Sequence, residues 1–324
     1  MYPVPRSSMV VVLLMLVFTL VLPAYPDGGL PTLITLVSPH TRLLVVAPHP
    51  DDEILGAGGL IQRVLRVGGA VQVVFMTNGD GFPAGVGLVQ HTAHPTAQDY
   101  RTYGRLRQTE ARQALAALGV PAKAVTFLGF PDGGLCPIRT QYSVDTDRDY
   151  TSPFTLANRP PSADVLVPNI EYNGEDLHRE LAWVLHRFRP SLVVTTHPRD
   201  QHPDHCSTYF FVQQALADLQ QRDALFRPAF FTFLVHFGGW WPVTKEEGLT
   251  SPLFPPQEFP EPPPAWLSLA LSAGEIRAKR QALLQYHSQM LAMGQYLLSF
   301  VRTNELFVRA SLDEDTLPAP CCHH

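Results

Sequence analysis

The chain has 324 residues, 45% of them hydrophobic, which is ample for the core of one large α/β domain with insertions. Its net charge of −5 and its lack of any long basic run remove the electrostatic footprint of phosphate-backbone binding, so no nucleic-acid partner is expected. Four cysteines are too few for a disulfide-dense scaffold, and neither a solenoid repeat nor a heptad pattern is present.

The first piece from the N-terminus is Arg6, then an apolar run from Met9 to Leu22, then Pro23-Ala24-Tyr25-Pro26-Asp27-Gly28-Gly29. The run is shorter than the roughly 20 residues that span a bilayer, so it reads as an export signal. Leu22 is a poor small-residue partner for cleavage after Ala24, which keeps an uncleaved membrane anchor open. With Arg6 on the cytoplasmic side, the rest of the chain is expected outside the cytoplasm, whether secreted, periplasmic or anchored. The competing reading is a core strand or helix of the domain.

Leu43-Leu44-Val45-Val46-Ala47 then forms an apolar run that ends in Pro48-His49-Pro50-Asp51-Asp52-Glu53. A short run of this kind predicts a strand buried on both faces, and open α/β sheets place ligands outside the carboxyl ends of their strands. Capping of the helix expected over Ile54 to Val67 explains one carboxylate, but not the set. The Gly56-Ala57-Gly58-Gly59 stretch lacks the full Gly-x-Gly-x-x-Gly spacing and lies beside acidic residues that would repel a pyrophosphate. Close helix packing is its simpler reading.

A second strand is expected at Val71 to Met76, a helix at Arg105 to Leu118, a third strand at Ala124 to Leu128 and a helix at Asp176 to Phe188. Within the first of these helices Arg107 and Glu110 lie one turn apart, so a local ion pair competes with a role at a site. Residues from about Cys136 to Asp164 read as an insertion. The run Leu192 to Thr196 repeats the earlier design, ending in His197-Pro198-Arg199-Asp200-Gln201-His202-Pro203-Asp204-His205. Imidazole and carboxylate suit zinc, and a catalytic zinc takes three protein ligands, a set that His49, Asp52 and His205 supply. His202 and His205 have an alternative reading as polar residues at the start of a helix over His205 to Leu219. Asp200 either orients a ligand histidine or caps a turn.

Downstream come a β-rich stretch at Phe230 to Phe237, a second insertion from about Gly238 to Trp266, and a helix near Ala273 to Phe300. Trp240, Trp241 and Trp266 are candidates for stacking on a sugar, against packing within their own domain. Cys206 reads as a small buried residue, and Cys321-Cys322-His323-His324 resembles a metal tail by composition alone.

The two His/Asp clusters resemble the signatures of the PIG-L/LmbE family of zinc-dependent N-acetylglucosaminyl deacetylases. Phe75-Met76-Thr77-Asn78-Gly79-Asp80, the Arg107-x-x-Glu110 helix, Phe127-Leu128-Gly129-Phe130-Pro131-Asp132-Gly133 and Lys279 to Gln289, with Tyr286-His287-Ser288-Gln289, are similar to the family as well. The resemblance spans residues 40–310 and implies a Rossmann-like parallel sheet with helices on both faces. The resemblance assigns the catalytic domain to 40–310, while the N-terminal run gives a leader or anchor over 1–28 and the chain end after Pro318-Ala319-Pro320 a disordered tail over 311–324. It further implies Zn2+, or iron(II), cobalt or manganese in its place, on His49, Asp52 and His205, with Asp51 as general base. His202 would stabilise the oxyanion as an imidazolium beside Asp204, which modulates it. Asn78, Asp80, Arg107 and His287 are the candidate contacts to an amino-sugar glycoconjugate. Two other functions compete: a zinc amidase acting on another sugar-linked amide, and a non-catalytic glycan-binding protein of the same fold.

Overall fold

The computed structural model describes residues 36–144, 149–239, 241–242, 251–259 and 266–312. The leader-like segment, Trp240 and the Cys/His tail lie outside the described residues. The elements in chain order are β1 (Arg42–Ala47), α1 (Asp52–Arg66), β2 (Ala70–Thr77), α2 (Pro83–Gln90), α3 (Ala97–Ala117), β3 (Val125–Phe130), α4 (Leu135–Thr140) and α5 (Gly174–Phe188). They continue with β4 (Leu192–Thr196), α6 (Pro203–Arg222), β5 (Ala229–Phe233), β6 (Trp266–Ala270), α7 (Ala273–Leu283), α8 (His287–Leu298) and β7 (Asn304–Arg309).

These strands form one seven-stranded sheet of order β3-β2-β1-β4-β5-β7-β6. The first five are parallel, as the apolar runs lead one to expect, whereas β7 pairs antiparallel with both β5 and β6. Alternate residues of each central strand feed opposite faces. Leu43, Val45, Val73, Phe75 and Val194 join the core beneath α1, and Leu44, Val46, Val74 and Val193 join the core that holds Leu181 of α5 and Val212 of α6. A strand buried on both faces has no polar side to show, which explains the unbroken apolar runs.

The antiparallel edge is a departure from the expected all-parallel sheet. Trp266, read as the end of an insertion, starts β6, and the single late helix is two, α7 and α8, separated at Leu284 to Tyr286. The helix expected from Arg105 starts at Ala97, where Thr96 and Asp99 form a reciprocal capping box. No helix among the described residues is long and apolar enough to cross a membrane.

The glycines of α1 serve packing. A Cβ on Gly56 would lie 2.1 Å from the Phe233 ring and one on Gly59 would lie 2.3 Å from Leu271. Along the same flank the buried Lys279 ammonium donates to Leu55 O at 2.8 Å and to Glu305 Oε1 at 2.7 Å, while Glu305 accepts the N–H groups of Gly59 and Leu60.

Candidate metal centre and active site

From β1 the chain goes outward through β2 and β3, returns to β4 on the other side of β1, and goes outward again through β5. Adjacent strands β1 and β4 are therefore the switch point of the sheet, and Val46 pairs with Thr195 just before both strands end. This register brings the two His/Asp clusters, about 150 residues apart in sequence, to the same place.

There His49 Nδ1 lies 3.2 Å from His205 Nε2 and 3.3 Å from Asp52 Oδ2, and His205 Nε2 lies 3.2 Å from Asp52 Oδ2. Ligand atoms around a tetrahedral zinc at about 2.0–2.1 Å are separated by about 3.3–3.4 Å, so the triangle fits such an ion. Two imidazole nitrogens so close repel unless a proton or a cation sits between them. Both histidines and Asp52 are buried. Other triads of ligand type overlap this one: His49 with His202 and His205, Asp52 with His205 and His236, and His49 with Asp132 and Asp204.

The outer nitrogens of the two histidines face carboxylates. His49 Nε2 is 3.1 Å from Asp132 Oδ1 and 3.3 Å from Asp204 Oδ2, and His205 Nδ1 is 3.2 Å from Asp200 Oδ2. Such partners fix the ring orientation and make the inner nitrogen a better donor to a metal. Burial works against ionisation of Asp132, but the His49 ring holds its carboxyl well below the usual range. Asp200 also accepts the N–H groups of His202, Val235 and His236, so it ties the loop after β4 to the loop after β5.

Asp51 precedes α1 with a φ of 121°, a left-handed value that costs a non-glycine residue about 1–3 kcal/mol. Its N–H donates to Glu53 Oε2 at 3.0 Å, and its Oδ2 accepts from Arg107 Nη2 at 3.0 Å. Burial pushes the Asp51 carboxyl up to about 7 against the pull of Arg107. Arg107 donates further to Gly79 O and Pro50 O, and Gly79 has to be glycine here because a Cβ would lie 2.0 Å from the guanidinium.

His202 caps α6: its Nδ1 accepts the Asp204 N–H at 3.2 Å. The expected imidazolium is not what the surroundings favour. Burial, together with positive charge at His49 and His205, pushes the His202 ring down to about 3. The carboxylate of Asp204 turns away to accept the N–H groups of Gly133 at 2.7 Å and Leu135 at 2.9 Å. With Nδ1 accepting the Asp204 N–H, the ring proton of His202 belongs on Nε2.

A cavity of about 190 Å³ opens beside this cluster, lined by His49, Asp51, Asp52, Asp132, His202 and His236 and by apolar groups that include Phe82, Val235, Met293 and Leu297. Arg107 reaches its wall, but with its donors committed to Asp51, Pro50 and Gly79. Asn78 is buried away from the cavity and accepts from Gln108 Nε2 at 2.9 Å. Asp80 is buried too, accepting the Asp132 N–H at 3.3 Å, while burial and Asp132 push its carboxyl up to about 7. His287 is exposed and does not line the cavity. Nor does Arg107 pair with Glu110, which instead accepts Ser288 N–H at 2.8 Å and Ser288 Oγ–H at 2.6 Å. Of the tryptophans, Trp241 donates to Phe254 O and packs edge-on against Phe300, and Trp266 is buried against Phe259, so both serve their own domain.

The sequence reading gives no site role to four residues that line the cavity: Asp132 and Gln289, which stand only within family-like stretches, and His236 and Tyr296. Asp132 and His236 follow the ends of β3 and β5, so the strand-end rule that picked out His49 applies equally to them. Both Gln289 and Tyr296 come from α8; the Tyr286-His287-Ser288-Gln289 stretch marks the first, and no local pattern marks Tyr296. Tyr296 Oη donates to Val235 O at 2.7 Å and lies 3.3 Å from His236 Nδ1, with the two rings stacked.

An imidazole, carboxylate and imidazole gathered at the switch point of a mostly parallel sheet define an α/β protein with a site able to hold a metal ion. The family model PIG-L, described as GlcNAc-PI de-N-acetylase, matches residues 44–216, more than half of the chain, and the protein belongs to this family. A 1D-myo-inositol 2-acetamido-2-deoxy-alpha-D-glucopyranoside deacetylase of Mycobacterium sp. (strain JLS) is 29% identical over 236 residues, covering 71% of this chain and 62% of the relative. The chain thus spans less than two thirds of that relative's length. A deacetylase of the same description from Saccharopolyspora erythraea is 28% identical over 266 residues, covering 80% of each chain. The fold is shared with a conserved protein of Thermus thermophilus (TM-score 0.50, 22% identity, covering 87% of this chain and 99% of that one). It is also shared with a deacetylase of the teicoplanin biosynthetic pathway in triple-mutant form (TM-score 0.53, 18% identity, covering 85% of this chain and all of that one).

Proposed function

We propose that this protein is a metal-dependent hydrolase that removes the acetyl group from an N-acetylated amino sugar. The observation that carries the reading is the His49–Asp52–His205 triangle with the carboxylate of Asp51 beside it at the cavity wall. His49, Asp52 and His205 would hold the ion; zinc there would polarise the amide as a Lewis acid and lower the pKa of water to about 7, and iron(II), cobalt or manganese would suit the same donors.

The protein's own groups then divide the proton work. Arg107 holds Asp51 Oδ2, and we assign Oδ1 to take the proton from the attacking water. A neutral His202 presents its Nε2–H to the oxygen that gains charge as water adds to the acetamide carbon. Asp51 returns the proton to the sugar nitrogen as the C–N bond breaks, which leaves acetate and a free amine. Asp132 and Asp200 keep His49 and His205 oriented throughout.

The relatives named above as deacetylases of an N-acetylglucosaminyl inositol make that compound the first to try. The test is acetate release from it, from N,N'-diacetylchitobiose and from a lipid-linked N-acetylglucosamine, by protein lacking its first ~28 residues. Zinc-loaded, chelated and Asp51→Asn samples would be compared. Release that needs metal and falls by about 10²- to 10⁴-fold in Asp51→Asn, with metal content unchanged, supports the reading. Metal binding without acetate release from any compound would move the protein to another sugar-linked amide or to glycan binding.

We further propose that the enzyme works outside the cytoplasm. The Arg6, Met9–Leu22 and Pro23-Ala24 pattern supports this. Fractionation of the full-length chain, with its N-terminal mass, would show export and whether the segment is removed; a wholly cytoplasmic pool would refute it.

A further inference from the structure

The motif Tyr286-His287-Ser288-Gln289 lies between α7 and α8, more than 230 residues from Asp51 in sequence, and the reaction as derived does not use it. Its contacts nevertheless converge on that residue. The Tyr286 hydroxyl donates to Glu53 Oε1, and the other oxygen of the same carboxylate accepts the Asp51 N–H. With its amide oxygen turned toward Arg107, Gln289 sits 3.0–3.1 Å from all three guanidinium nitrogens. The same guanidinium holds the Asp51 carboxylate. Between these two, Ser288 is fastened to Glu110, one turn beyond Arg107 on α3. Tyr286, Ser288, Gln289, Glu53, Arg107 and Glu110 are all buried.

We propose that Tyr286, Ser288 and Gln289 form a buckle that positions the general base. One arm, Tyr286 through Glu53, grips the backbone of Asp51; the other, Gln289 through Arg107, grips its side chain. The left-handed backbone of Asp51 has no internal reason to persist and needs such an outside hold. Tyr286 and Ser288, which do not line the cavity, are positioning residues, and Gln289 positions Arg107 from the cavity wall. The inference rests on Asp51 being the base.

Two readouts test it. Exchange of the Asp51 amide hydrogen, followed by NMR in metal-free and zinc-loaded protein, needs no turnover. In Tyr286→Phe it is expected to quicken by about ten-fold, as one supporting hydrogen bond is lost. Acetate release from N-acetylglucosaminyl inositol or N,N'-diacetylchitobiose is expected to show kcat reduced by about ten-fold in Tyr286→Phe and in Gln289→Leu with metal content unchanged, and KM unchanged in Tyr286→Phe. In an Asp51→Asn background the same substitutions should change the residual rate by less than about two-fold, because they act through Asp51. Equal losses in both backgrounds, or wild-type amide exchange and kcat in Tyr286→Phe, overturn the proposal. Gln289→Leu carries the kinetic test should Tyr286→Phe not fold. An Asp51→Asn protein with full turnover removes the base assignment and this inference together. An inactive Asp51→Asn beside Tyr286→Phe and Gln289→Leu proteins of full activity removes only the buckle.

Discussion

Helix α1 carries two buried ionic clusters, and they differ in one respect. On its flank, Lys279 and Glu305 are closed: the ammonium is held by Leu55 O and a carboxylate, and the carboxylate by Gly59 and Leu60 N–H. At its N-terminus, His49 Nδ1, Asp52 Oδ2 and His205 Nε2 turn toward one point beside the cavity, and outside that trio only the His49 N–H, which Asp52 Oδ2 accepts at 3.0 Å, meets any of the three atoms among the described residues. Burial alone does not distinguish structure from chemistry; open donor valence does.

Removing a ligand should have the largest effect. His205→Ala is expected to lose bound metal, read by atomic absorption, and to abolish acetate release, while the fold measured by circular dichroism remains. A variant that keeps stoichiometric metal would show that the triangle is not the site. The closed cluster should respond in the opposite sense. Lys279→Met leaves the Glu305 carboxylate buried without its cation and is expected to cost about 3–5 kcal/mol in denaturant unfolding, with kcat per folded molecule unchanged. If turnover fell as far as stability, the distinction between the clusters would be lost.

The smallest effect belongs to the rim of the closed cluster, where Arg63 meets Glu275 at 2.6 and 2.7 Å. Burial opposes ionisation of Glu275, yet Arg63 and the Ser272 cap hold its carboxyl down to about 2 from 4.5. Because the folded-state value is depressed, the stabilisation is full above about pH 4.5 and is lost as pH falls toward 2. The difference in Tm between wild type and Glu275→Gln should shrink over that window. A difference that stays constant with pH would assign the effect to packing.

The open cluster was the more legible of the two, because each half is local. His49 and Asp52 are three residues apart, as are His202 and His205, and each pair follows an apolar run that can only be a doubly covered strand. The charge state of His202 was not legible. It depends first on burial of the ring and on its neighbours His49 and His205, which outweigh the carboxylate of Asp204, and none of these is local in sequence except His205 and Asp204. The antiparallel edge was missed because Trp266–Ala270 and Asn304–Arg309 are short, the first follows a Pro-rich stretch, and both are made strands by distant pairing, with each other and, for Asn304–Arg309, with β5. The closed cluster escaped for a similar reason: Lys279 and Glu305 sit on a helix and a strand whose adjacency no periodicity announces.

The adjacency of β1 and β4 has a consequence for how such a protein can diverge. The two ligand-bearing strands pair directly with each other, so their register takes no residue from the chain between α4 and α5. Lengthening a surface connection adds only about 0.6 kcal/mol for each doubling. The connection from α4 to α5 is not of that kind: Ile170 and Tyr172 are buried in the core, the Tyr172 hydroxyl donates to Gly129 O at 2.9 Å and the Leu166 N–H donates to Phe127 O at 2.8 Å, so replacing it would disturb the β3 side of the sheet while the β1–β4 register that assembles the metal triangle stays as it is.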